Sequence, residues 1–133
     1  MLKTYEDLNG NLLVINHRKS AVFFETGKDF EGYDISFKFN QETFLEVLKH
    51  IKHAASESWS KLNPRDATSE ASDYYEYYDK EFDNNGYLYL KDNKITLNRP
   101  VRESNRLYKF NKRKMETFLF DCQKYTNSKE DIK

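Results

Sequence analysis

The sequence predicts an α+β fold: two tandem antiparallel β-meander–helix units (βββα or ββββα), their helices packed on one face of the sheets. Three observations carry that prediction. An aromatic–Lys–Phe–Asn segment occurs twice, at Phe37 and again 71 positions later at Tyr108. Each copy runs straight into a helical pattern: Phe44, Val47, Leu48 and Ile51 fall at i, i+3, i+4 and i+7, and Met115, Phe118, Leu119 and Cys122 repeat the spacing. Ahead of each asparagine the apolar residues alternate as in a strand, through Ile35, Phe37 and Phe39 in the first copy and Tyr108 and Phe110 in the second, with Leu107 out of phase.

Taken in chain order, the short segments "KTYEDL" and "YYDKEF" could each add a strand ahead of an Asn-Gly pair. "NGNLLVIN" (Asn9–Asn16) and "NGYLYLKD" (Asn85–Asp92) each begin with the Asn-Gly pair favoured in tight hairpins. "HRKSAVFFET" and "NKITLNRP" then read as a turn plus a strand, with a longer loop in the first copy, which carries Gly27 and Gly32. Asn40 and Asn111 are natural helix N-caps, because their side-chain oxygens can meet N–H groups that have no partner within the helix. The first helix should stop near Ala55 or Trp59, before Pro64 and a Ser/Thr/Asp-rich linker. The organisation expected is a first meander–helix unit over 1–59, a linker over 60–72, and an acidic Tyr-rich arm plus the second meander–helix unit over 73–133, all sharing one core.

Composition narrows the function classes. Ten tyrosines and ten phenylalanines in 133 residues are too many for a disordered chain. A single cysteine, Cys122, excludes an internal disulfide framework and fits a reducing compartment. With no apolar run of about 20 residues and no basic-then-apolar start, the expectation is a cytoplasmic protein with no membrane partner. No Gly-rich phosphate loop, nucleophile elbow or metalloprotease motif is present, so an enzyme is not expected, nor is a cofactor. His50 and His53 stand three apart, but with His17 remote in sequence no metal site is expected. Cys122 lies on an apolar stripe and reads as a small core residue.

Formal net charge is zero, yet the charges are segregated. Acids dominate 66–83, where Asp73, Glu76, Asp79 and Glu81 interleave with tyrosines including Tyr74 and Tyr77. Bases dominate 91–114: Lys91, Lys94, Arg99, Arg102, Arg106, Lys109, Lys112, Arg113 and Lys114 face only Asp92 and Glu103. Lys112, Arg113 and Lys114 directly follow the Asn111 cap. Cations there oppose the partial positive charge of a helix start and favour a bound anion.

The stretch "YDISFKFNQETFLEVLKHI" resembles the close of the whirly-type single-stranded-DNA-binding fold, the family of the transcriptional positive cofactor. The matching positions are Ile35, Ser36, Glu42 and Phe44; Gln41 stands where the family has a proline. The resemblance implies strands that present basic and aromatic side chains to single-stranded nucleic acid. It points to Arg18, Lys19 and Lys38, and through the repeat to Lys94, Arg99 and Lys109.

The expectation is therefore a small non-enzymatic nucleic-acid-binding protein with single-stranded DNA preferred. Arg102, Arg106, Lys109, Lys112, Arg113 and Lys114 would meet phosphates, and Tyr87, Tyr89 and Tyr108 would stack on bases. The alternative is a protein-binding inhibitor or accessory factor from a phage or mobile element, using Asp73, Tyr74, Glu76, Tyr77, Asp79 and Glu81 against a basic partner surface. A monomeric pseudo-dimer and a homodimer both fit.

Overall fold

The computed structural model describes residues 1–26, 34–66, 88–98 and 106–131, with the side chains of the last stretch described to 126. These residues form seven strands and two helices. The first part holds β1 (Leu2–Glu6), β2 (Leu12–Arg18), β3 (Ala21–Thr26), β4 (Asp34–Lys38) and α1 (Gln41–Ser58). The second holds β5 (Leu88–Lys91), β6 (Lys94–Asn98), β7 (Arg106–Phe110) and α2 (Lys112–Asp131). The α+β class is as expected: two antiparallel sheets with two helices packed against them.

The strand order differs from two self-contained meanders. One sheet runs β1-β2-β3-β7 and the other β4-β6-β5. The last strand before each helix thus leaves its own half: β4 pairs with β6, and β7 pairs with β3. The segments ahead of these two strands, 27–33 with its Gly27 and Gly32 and 99–105, lie outside the described residues.

Alternation sets which face each strand buries. Leu13, Ile15, Val22 and Phe24 point inward from the four-stranded sheet, and Ile35, Phe37, Leu88, Ile95 and Leu97 from the three-stranded one. Together with the stripes of both helices they make one core drawn from both halves of the chain. Leu107 is out of phase because the β3–β7 register shifts between Phe24 and Glu25: Tyr108 faces Phe24 while Arg106 faces Glu25. The extra residue lets Leu107 and Tyr108 both be buried. Phe24, Phe110 and Phe118 meet edge to face at centroid distances of 5.1–6.2 Å, a geometry that suits the ring quadrupoles.

Both asparagine caps form. Asn40 Oδ1 accepts from Thr43 N–H and Asn111 Oδ1 from Lys114 N–H, each at 2.8 Å. The two tight hairpins lie at Lys19–Ser20 and Asp92–Asn93, where Ser20, Asp92 and Asn93 all have positive φ; Asp and Asn tolerate this conformation best among residues with a Cβ. The first Asn-Gly pair lies in the β1–β2 connection, with Gly10 at φ +81°; the second, at Asn85, lies outside the described residues.

Asp7, buried in that connection, ties the first hairpin to β4. Its Oδ1 accepts from Asn9 and Asn11 N–H at 2.9 and 2.8 Å, and its Oδ2 from Lys38 N–H at 3.0 Å. Leu8 N–H also donates to the Lys38 carbonyl at 2.8 Å. Replacing Asp7 leaves three N–H groups without their acceptor. Asp7→Ala is expected to lower stability by roughly 1–3 kcal/mol, read as a lower urea midpoint with an unchanged m-value.

Candidate nucleic-acid interface

The pairing of β4 with β6 assembles a cationic row that no single segment of the chain contains. Lys38 stands opposite Lys94, and Lys94 opposite Lys91, on three adjacent strands. Opposed residues in an antiparallel sheet share a face, and here it is the outer one, since Ile35, Phe37, Ile95, Leu97 and Leu88 take the inner one. Lys38 and Lys91 are exposed and Lys94 is half-buried. Among the described residues none of the three ammonium groups has an ion-pair partner. Like charges directly opposite one another destabilise a sheet, so this row is a cost that a bound polyanion would relieve.

The next row on the same face is Ser36, Thr96 and Tyr89. Ser36 Oγ and Thr96 Oγ1 lie 2.9 Å apart, and Tyr89 is 48% exposed. A third row closes the face with Asn98 Nδ2 donating to Asp34 Oδ1 at 2.9 Å. The surface thus carries three cations in line, hydroxyls beside them and an exposed aromatic ring.

The other expected site residues are dispersed. Tyr108 is 1% exposed and packs among Phe24 and Phe110; it is a core residue and cannot stack on a base. Lys114 is 5% exposed, so its ammonium is not presented to a phosphate backbone. Lys112 and Arg113 are half-buried at the start of α2. Arg106 and Lys109 lie on the outer face of the four-stranded sheet, opposite Glu25 and Phe23, where Arg18 stacks over the Phe23 ring at 5.3 Å. Tyr87 and Arg102 lie outside the described residues, as do Asp73, Tyr74, Glu76, Tyr77, Asp79 and Glu81 of the acidic segment. Of the positions implied by the whirly resemblance, Lys38 and Lys94 meet in the lysine row, while Arg18 and Lys109 share the other sheet.

An acid does sit near the start of α2, and its partner comes from elsewhere. Glu116 is buried and accepts from Arg65 Nη2 and Asn63 N–H, both at 2.9 Å. It clamps the segment that follows α1 onto α2.

His17 is not remote. It is buried on β2 with its Nε2 2.9 Å from Glu57 Oε1 on α1, and His53 Nε2 lies 3.5 Å from the same oxygen. His50 adjoins this cluster, its ring 6.3 Å from that of His53 and 6.1 Å from that of Tyr5. Among the described residues no group of three or more donors is placed to hold a metal. No helix of the described residues is long and apolar enough to cross a membrane.

The chain was compared with protein-family models, curated proteins and solved structures, and it matches none of them.

Of these histidines, His50 gives a pH dependence whose sign follows from its surroundings. Burial foremost, then the charges of His17, His53 and Lys3, holds His50 below its usual 6.5, against a smaller opposing pull from Glu57. The unfolded chain therefore takes up the His50 proton first as pH falls. Stability from this group is complete above pH 6.5 and is lost as pH drops through the lower folded value. Thermal midpoints measured from pH 7.5 to 5 should fall, and His50→Gln should flatten the slope.

Proposed function

We propose that this protein binds single-stranded nucleic acid on the outer face of its three-stranded sheet. The observation that carries this reading is the cross-strand row Lys38–Lys94–Lys91 beside the exposed ring of Tyr89. Strands 4.7–4.9 Å apart place three cations in a line about 10 Å long. Such a line suits a backbone laid across the sheet, with the phosphates on the lysines and a base on the ring. Ser36 and Thr96 add hydroxyls that can donate to phosphate or sugar oxygens. The features are sequence-tolerant, since cations read backbone charge and a ring stacks on any base.

Single strands are favoured over duplex because the ring contributes only where a base is unstacked and available. The Lys38 contribution comes from the segment that resembles the whirly-type fold, which supports the same reading. The role is non-enzymatic: substrate is held, and no step of chemistry is assigned to the face.

The test is a fluorescence-anisotropy titration of a labelled oligothymidylate at two salt concentrations. Affinity should fall as salt rises, by about 0.7 log units per log unit of salt for each phosphate neutralised. The triple variant Lys38→Gln, Lys91→Gln, Lys94→Gln should reduce that slope by about 2. Tyr89→Ala should cost about 1–3 kcal/mol of binding while leaving the slope nearly unchanged. Absence of binding at low salt, or a triple variant that binds as well as the parent, would refute the proposal.

A further inference from the structure

A second surface stands apart from the lysine row. The two helices run antiparallel where they touch: Phe44 meets Tyr125 edge to face at 5.3 Å, and Leu48, one turn on, lies near Leu119 and Cys122. Between them is a cleft of about 240 Å³. Its floor is apolar, formed by Leu48, Leu119 and Cys122, with Pro64 at one side. Pro64 is held there because Glu116 fixes both neighbours, through Asn63 N–H and the Arg65 guanidinium. Lys49 and Lys52, exposed and three residues apart on α1, stand on one rim. Among the described residues neither has an ion-pair partner.

We propose that this cleft binds a small amphipathic carboxylate, its apolar tail on the Leu48–Leu119–Cys122 floor and its carboxylate between Lys49 and Lys52. Charge complementarity selects the head group: the rim offers two ammonium donors, and charge-assisted hydrogen bonds are the stronger kind. Gln123 and Thr126 on the opposite wall add neutral polar groups and no negative charge. Volume selects the tail, since the cleft lies below the roughly 300–1,000 Å³ of drug-sized sites and so suits a short acyl or single-ring acid. Burial, assisted by the nearby Asp121 carboxylate, pushes the Cys122 thiol well above its usual value. The floor therefore stays uncharged, and the thiol serves as an apolar contact rather than a nucleophile. The inference is independent of nucleic-acid binding, because Lys49 and Lys52 are not on the sheet face.

Octanoate and octanol, matched in tail and different in head group, are the probes. Calorimetric titration of the full chain, with amide shifts followed by NMR, should show saturable octanoate binding. The shifting amides should lie in 48–52 and 119–126. Octanol should bind at least about tenfold more weakly, the loss of a single charge-assisted contact. Lys49→Gln with Lys52→Gln, both at exposed positions, should weaken octanoate by a similar factor. The same variant should leave octanol binding, the thermal midpoint and oligonucleotide binding unchanged. Failure to saturate, shifts confined to other surfaces, equal binding of the two probes, or an unaffected double variant would each overturn the proposal.

Discussion

Each half of this chain gives its final strand to the other half's sheet, and the rest of the structure depends on that exchange. Ser36 and Thr96 touch across a sequence separation of 60 residues, and β7 returns to β3 over a still longer path. Neither sheet closes its inner face without the transferred strand. Val22 and Phe24 of β3 lie beside Phe110 and Tyr108 of β7, while Ile35 and Phe37 of β4 lie beside Leu97 and Ile95 of β6. The gain is a single aromatic-rich core in place of two small ones, and small cores bury too little of their surface to be secure. The exchange also carries a kinetic consequence, since non-local strand pairs close large loops before any contact is made and slow the folding of such topologies.

The lysine row follows from this core rather than from any preference of lysines for one another. In a strand, side chains alternate between faces with period two, so a slip of one residue would exchange every inward and outward position. Burial of Phe37, Ile95 and Leu97 outweighs that slip by several kcal/mol, at roughly 1.5–3 kcal/mol for each large apolar side chain. Cross-strand charge repulsion amounts to only about 0.2–1 kcal/mol per pair. The core fixes the register, and Lys38, Lys94 and Lys91 are held in line despite their repulsion. Three cations are thereby held in line on the outer face of that sheet.

Polar groups inside the fold serve backbone geometry. Asp7 collects three N–H groups at the point where the first hairpin meets β4, and Glu116 secures the segment leaving α1 against α2. Asn40 and Asn111 satisfy N–H groups at the helix starts. The three cations after Asn111 are not gathered into one outward site. Lys114 is buried and Lys112 and Arg113 are half-buried.

Local information was enough to determine the α+β class, both helical stripes, both caps and the alternating strands, because each depends on residues a few positions apart. Even the misfit of Leu107 was visible as a break in period before the bulge explained it. Tyr108 and Lys114, expected on the surface, are buried, and His17 meets Glu57 of α1 across 40 positions of sequence; a residue's surroundings are set by its tertiary neighbours, which period alone does not name. Tyr89, Lys38 and Lys94 were identifiable one by one, as an aromatic or a cation on a strand. That they share a face with Lys91 was decided only by the tertiary structure, because β4–β6 pairing is chosen by the burial of two distant apolar faces against one core.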